Sequence, residues 1–276
     1  MNLTQRTLKA RLRQFLTSQK FRNYPLRAVY RWCHWRIRRR FRAHSPVIMP
    51  FYQGLKIKLA WSSASSGIYF NDGFSDLSIA QLFIEFLKPG MIAFDCGAHI
   101  GEYTLLFSKL VGPEGQVHSF EPDVRILPYL QENVAMNNLQ NVVLNNVALS
   151  EKEGAAGFAL QPDPTMSSLT SLTDMETQGF EEISIPTIII DAYVLSKKLP
   201  CVDALKIDVE GAEAMVITGA FRLLSELKPG LVFIECDNHD NAPVLRGIFT
   251  RLGYKAVIRK DDRHLHPHLV ARRCGN

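Results

Sequence analysis

Along the chain the hydrophobic positions switch repeatedly between the two-residue period of strands and the roughly 3.6-residue period of helices. The alternation Leu55-Lys56-Ile57-Lys58-Leu59 predicts a short strand, followed by a Ser/Gly-rich turn over residues 62–67. Behind Gly73 and Asp76, the spacing of Leu77, Ile79, Ala80, Leu82, Phe83, Phe86 and Leu87 predicts a helix that stops at Lys88-Pro89-Gly90. The apolar run Met91-Ile92-Ala93-Phe94-Asp95 predicts a strand that opens through Cys96-Gly97-Ala98-His99-Ile100-Gly101 into a helix over 103–111. A strand over 116–120, a helix over 124–137 and a strand over 142–149 follow. The periodicity then breaks over 150–190, which reads as an irregular insertion with hairpin character near 157–160 and 183–190. Beyond it come a short helix (191–195), a strand (204–208), a helix (212–227), a strand (230–235), a helix (242–252) and a hairpin pairing 254–260 with 269–273.

Strands that alternate with helices imply an α/β domain whose parallel sheet is built by right-handed crossovers and covered on both faces. Ligands in such sheets sit outside the carboxyl ends of the strands. The candidate site residues are therefore the strand ends Asp95, Glu121, Asn146, Asp208 and Glu235. Gly97 can take a positive φ and Gly101 permits close approach, so the loop between them suits a small anionic or nucleotide-like ligand. Glu121, 26 positions after Asp95 and fixed by Pro122, stands where a carboxylate would accept both ribose hydroxyls. The Gly-x-x-x-Gly spacing lacks the G-x-G-x-x-G of pyrophosphate binders, which favours a nucleoside without phosphates.

Charge adds a second feature. Residues 1–71 contain 15 Lys and Arg and no Asp or Glu, leaving 17 basic and 27 acidic residues for the remainder. Leu8, Leu12, Phe15 and Leu16 recur at helical spacing among Arg and Lys, and Tyr30, Trp32, Trp35 and Phe41 interleave with Arg27, Arg31, Arg36 and Arg38-Arg39-Arg40. This mixture suits a headgroup layer. The expected organisation is a basic amphipathic, helical N-terminal arm over 1–46 and an acidic main domain over 47–276. The favoured partner of the arm is an anionic membrane surface or a substrate polymer; next comes a solvated basic helix whose aromatics pack on the domain, and nucleic acid is the least favoured. The five scattered cysteines have no C-x-x-C pair and read as reduced. With no signal-peptide core and no uncharged apolar run of about 18 residues, the expected location is cytoplasmic, peripheral on the inner face of the membrane if the arm binds lipid.

The string Phe94-Asp95-Cys96-Gly97-Ala98-His99-Ile100-Gly101, with Phe120-Glu121-Pro122 and Lys206-Ile207-Asp208-Val209-Glu210-Gly211-Ala212-Glu213, resembles the FkbM family of class I methyltransferases. The likeness runs from about Gly67 to Tyr254 and includes Ala148-Leu149-Ser150, Ser167-Ser168-Leu169 and Gly219-Ala220; His99 stands where the family often has Asn. The resemblance implies a seven-stranded Rossmann-like fold, S-adenosylmethionine as methyl donor and a hydroxyl acceptor on a sugar, glycan or secondary metabolite. It further implies that Asp95, Gly97, Ala98 and Gly101 form the loop under the methionine part, that Thr104 donates to its carboxylate, that Glu121 holds the ribose and that Asn146 and Ala148 lie beside the adenine.

Methyl transfer to oxygen is an in-line displacement that benefits from a positioned base. Asp208 is the expected base or acceptor-orienting group, with Glu210 second; Lys206 reads as a packing or ion-pair residue deeper in the sheet. Glu235-Cys236-Asp237-Asn238-His239-Asp240 and His264-Leu265-His266-Pro267-His268 contain metal-ligand residue types at no defined spacing, so no metal is expected. From these clusters His239 and His264 are candidates for acceptor contact. The acceptor is expected to be a sugar, glycan or lipid-linked molecule. The alternative reading is a non-catalytic protein that uses a nucleoside fold as a scaffold and the arm as an anchor.

Overall fold

The computed structural model describes residues 47–60, 73–169, 171, 181–237, 240–259 and 266–274, with Leu26, Val29, Tyr30, Cys33 and Ile37 as isolated positions before them. The rest of the expected arm, the turn at 62–67, His239 and His264 lie outside the described residues. No helix among the described residues is long and apolar enough to cross a membrane.

The described chain begins with a hairpin, β1 (Val47–Pro50) and β2 (Lys56–Leu59). Then come α1 (Leu77–Phe86), β3 (Ile92–Cys96), α2 (Glu102–Val111), β4 (Gln116–Phe120), α3 (Leu127–Met136) and β5 (Val142–Asn145). Asp76 starts α1 by accepting the Ser78 and Ile79 amides at 2.6 and 3.3 Å, which satisfies first-turn donors that have no partner within the helix. After an insertion come α4 (Ile190–Ser196), β10 (Ala204–Ile207), α5 (Glu213–Gly219), β11 (Leu231–Glu235), α6 (Asn241–Arg251), β12 (Tyr254–Arg259) and β13 (His268–Arg273). The helix expected over 212–227 is divided: α5 ends at Gly219 and a separate π-helical turn spans Leu223–Leu227.

Seven strands form one sheet in the order β12-β13-β11-β10-β3-β4-β5. All neighbours from β11 to β5 pair in parallel, whereas β13 runs antiparallel to both β11 and β12. The chain moves outward from β3 to β5 and then crosses back to β10. The order reverses between β3 and β10, and a crevice opens outside the strand ends at such a reversal.

The insertion is more regular than its broken periodicity suggests. The strand expected over 142–149 divides into β5 and β6 (Ala148–Leu149); β6 leaves the main sheet and joins β7 (Gly154–Leu160), β8 (Ser168–Leu169) and β9 (Glu181–Ile188) in the order β6-β9-β7-β8. The division falls at Asn146, whose side-chain amide donates to the carbonyls of Glu121 at 2.8 Å and Pro122 at 3.2 Å. That side chain ties the chain to the β4 turn just where it leaves the sheet.

Alternation along each central strand sorts side chains onto two faces. Ile92, Phe94, Cys96, Leu205 and Ile207 join one core with α4, α5 and α6, while Ala93 and Ala204 join another with α1 and α2. Asp95 and Lys206 share the second face and are direct register partners, as are Asp95 and Ser119. The sheet therefore carries a buried polar row, Ser119-Asp95-Lys206, just inside its carboxyl edge.

Candidate active site

A cleft of about 220 Å³ opens where the order reverses. Gly97, Ala98 and His99 line it from the loop after β3, Glu121, Pro122 and Asp123 from the turn after β4, and Lys206, Asp208 and Glu210 from β10 and its turn. Ala148, Leu149, Phe158 and Leu169 supply an apolar wall from the small sheet.

Glu121 is built into the backbone on either side of it. Its Oε2 accepts the His99 amide at 2.7 Å and its Oε1 the Asp123 amide at 2.8 Å. Burial raises its pKa to about 7 even though both amide bonds favour the charged form. Each oxygen keeps capacity for another donor, because an ionised carboxylate offers about four acceptor positions. His99 has φ +49°, and its Nε2 is buried with no hydrogen-bond partner. Burial lowers the pKa of this imidazole to about 4, so it is neutral near physiological pH.

Beneath the loop lies a brace. Thr104 Oγ1 donates to Asp95 Oδ2 at 2.7 Å and is 2.8 Å from Ser119 Oγ. Lys206 Nζ is 3.3 Å from Asp95 Oδ1 and 3.2 Å from Asp208 Oδ2, and it donates to the Gly97 carbonyl at 3.0 Å. The Lys206 side chain is 3% exposed and that of Asp208 31% exposed. Lysine thus reaches the carboxyl edge from within the sheet, because its long side chain makes up the roughly 6–7 Å that two strand residues span.

In the turn after β10, burial first and the nearby Lys206 second act on Asp208, for a net upward shift. Glu210, at φ +50°, is pushed well above the carboxylate range by burial and by Asp237, Asp208, Glu235 and Glu213. Glu213 is also raised, by burial and Asp237, and its Oε1 accepts the Gly211 amide at 2.8 Å. Asp208 does not cap α5, whose N-cap is Ala212. Among the described residues no group of three His, Cys, Asp or Glu side chains is arranged to hold a metal ion.

Several expected roles change. Thr104 and Asp95 are fully buried and do not line the cleft; their polar atoms are spent on each other and on Lys206, so Thr104 cannot donate to a ligand carboxylate. Asn146 ties the β4 turn instead of facing an adenine. Gly101, at φ +93°, begins α2, and what comes close to it is Leu130: an added Cβ would lie 2.6 Å from Leu130 Cδ1. Burial and the neighbouring carboxylates raise the pKa of Glu210, which favours its protonated, hydrogen-bond-donating form. Lys206 is an ion-pair residue but not remote from the edge. Sequence reasoning missed Ser75, Glu102 and Tyr103, which line the cleft from the start of α1 and from α2; Glu102 accepts the Ser75 amide and hydroxyl, each at 2.6 Å. Its place in the first turn after the glycine loop was the available signal.

Numbered within the main sheet alone, the strand order reads 3-2-1-4-5-7-6 with the seventh antiparallel, which together with the carboxylate-bearing cleft defines a class I methyltransferase fold. The methyltransferase FkbM domain model matches residues 95–256, more than half of the chain, and the chain belongs to that family. It is 28% identical over 159 residues to the 31-O-demethyl-FK506 methyltransferase FkbM of Streptomyces tacrolimicus, covering 48% of this chain and 60% of that protein. It is also 28% identical over 167 residues to the 2-O-methyltransferase NoeI of Sinorhizobium fredii, covering 56% and 68% respectively. The crystal structure of an FkbM methyltransferase from Methylobacillus flagellatus superposes with a TM-score of 0.48 at 18% identity, over 75% of this chain and 53% of that one.

Proposed function

We propose that the chain is an S-adenosylmethionine-dependent O-methyltransferase acting on a hydroxyl of a sugar, glycan or related metabolite. The observation that carries this reading is a single cleft holding two differently prepared carboxylates: Glu121, fixed by two backbone amides, and Asp208, partly open beside Lys206. The names of the two relatives, a 31-O-demethyl-FK506 methyltransferase and a 2-O-methyltransferase, support an oxygen acceptor.

The residues present fit the donor. Glu121 can accept two ribose hydroxyls, the wall of Ala148, Leu149, Phe158 and Leu169 suits a flat ring, and the buried His99 Nε2 lacks a polar partner. Bound there, S-adenosylmethionine supplies an electrophilic methyl group. The chain's own part is to hold an acceptor oxygen in line with it, at about 3 Å, and to take the proton. Asp208 would take that proton as the O–C bond forms and the methyl C–S bond breaks to leave S-adenosylhomocysteine, and Glu210, protonated, would donate to a neighbouring acceptor oxygen.

Incubation with methyl-labelled donor and fractionated glycans, lipid-linked sugars and small hydroxylated metabolites tests the reading. The label should appear as an alkali-stable methyl ether; label only in esters or N-methyl groups, or in nothing, would contradict it.

A pH dependence follows from Glu121. Ribose hydroxyls donate to the ionised carboxylate, and the ligand-free group has a pKa of about 7. Donor affinity is therefore highest above pH 7 and weakens as pH falls through it, approaching about tenfold per pH unit. Calorimetric titration with S-adenosylhomocysteine between pH 5.5 and 8.5 measures this, and a flat profile would show that Glu121 does not hold the ribose as an anion.

A further inference from the structure

Lys206 makes more contacts than a packing role requires. Its ammonium lies within 3.3 Å of three oxygens from three places: Asp95 at the end of β3, Gly97 in the donor-side loop and Asp208 in the acceptor-side turn. It also lies 5.2 Å from the centre of the Tyr103 ring on α2. A buried ion pair is often matched in stability by apolar residues of the same volume, so stability alone is a weak reason for a charged side chain at this depth. What an apolar residue could not do is join the two loops and place a positive charge beside Asp208.

We infer that Lys206 is a positioning residue that clamps the donor loop to the acceptor turn and keeps the Asp208 carboxylate ionised and aimed into the cleft. This rests on the proposed reading in one respect, that Asp208 is the proton acceptor. The charge is needed because the other groups around Asp208 oppose its ionisation. Glu235 and Asp237 act on it from β11 and the residues after it, Glu210 from its own turn, and Asp95 holds the other side of the same Lys206 ammonium. His266 stands 3.7 Å from Asp237, and His268 stands 3.9 Å from Glu235, so both histidines lie one carboxylate away from Asp208. Among the described residues Lys206 is the cation placed directly on the Asp208 oxygen, and its own pKa is raised by Asp208 and Asp95 despite burial. It therefore stays charged across the range in which a carboxylate titrates.

The test follows Asp208 directly and needs no acceptor. Aspartate-selective carbon-13 labelling of the full chain reports each Asp carboxyl through a pH titration, with Asp208→Asn assigning the resonance. Lys206→Met should raise the Asp208 midpoint by about 1–3 pH units, the size expected for losing an adjacent opposite charge, and Lys206→Arg should restore most of the shift. Because Lys206→Met leaves Asp95 buried without its partner and can unfold the chain, the same comparison is made between Asp95→Asn and Asp95→Asn/Lys206→Met, where both charges are removed together. An Asp208 midpoint that is unchanged between those two variants would overturn the inference and leave Lys206 a structural ion pair. Binding of S-adenosylhomocysteine by the wild-type chain, measured separately, reports on the donor reading and not on the lysine.

Discussion

Replacing Gly97 with alanine is expected to destabilise the fold by about 3–5 kcal/mol and to abolish donor binding in whatever fraction remains folded. Gly97 has φ +79°, and a Cβ built on it would lie 1.7 Å from the Asp208 carbonyl oxygen and 2.8 Å from its carbonyl carbon. Neither side can retreat. The Asp208 amide donates to the Cys96 carbonyl at 3.0 Å, the Gly97 and Ala98 amides both donate to Phe120 O at 3.0 Å, and Lys206 holds the Gly97 carbonyl. The three strand ends that form the cleft thus meet at a point where only a hydrogen fits. Gly90 is the control: its φ is +87° but an added Cβ would meet nothing within 4 Å, so Gly90→Ala should cost only the backbone penalty of about 1 kcal/mol. Thermal melts compare the two, and Gly97→Ala should lower Tm by roughly 10 °C more than Gly90→Ala. Equal melting temperatures would mean that the contact between the loop and the acceptor turn does not constrain the fold.

The second large effect concerns Glu121. Its replacement by alanine removes two hydrogen bonds that a bound ribose would make to a charged acceptor, each contributing about 1.5–3 kcal/mol, so donor affinity should fall on the order of 100-fold or more. The same change strands the His99 and Asp123 amides, one of them on a residue with positive φ, and so loosens the loop that the donor needs. Glutamine is not a neutral rescue. It has one acceptor oxygen where glutamate has two, so its NH2 must point at one of those amides, donor against donor. Glu121→Gln should therefore bind more weakly than the parent although its shape is conserved. Circular dichroism at the titration temperature confirms that each variant is folded, and a folded Glu121→Ala chain with parental affinity would remove Glu121 from the donor site.

How much of this was legible in the sequence depended on how local the cause was. The strands β3, β4, β10 and β11 were readable because their apolar runs ended in glycine, proline or acidic residues, and these ends then named the cleft's neighbourhood. The four-stranded insertion sheet was legible only in part: hairpin character was expected near 157–160 and 183–190, where β7 pairs with β9, but nothing local shows that β6 and β8 join them. Nor could the chain show that 142–149 would divide: Val-Val-Leu-Asn-Asn-Val-Ala-Leu is plausible as one strand, and the break falls where Asn146 reaches the Glu121 and Pro122 carbonyls, 25 and 24 positions earlier.

The misplaced site residues share a physical reason. Thr104 and Asn146 have the hydrogen-bonding capacity of ligand contacts, but composition cannot tell whether a donor is turned toward a ligand or toward the groups that shape the pocket. Asn146 reaches two backbone carbonyls of the β4 turn, and Thr104 reaches the Asp95 carboxylate across the glycine loop. Lys206 failed in the opposite sense. The two-residue period placed it correctly on the face of Asp208, and its depth was judged from its Cα, whereas its charge sits at the far end of a long side chain.

The central claim is that this cleft holds a methyl donor through Glu121, and calorimetric titration of the full chain with S-adenosylmethionine at pH 8 tests it most directly. The account predicts saturable binding of one donor per chain, weaker at pH 6 and lost on titration of folded Glu121→Ala. A folded parent chain that gives no binding heat with S-adenosylmethionine or S-adenosylhomocysteine at either pH would contradict it.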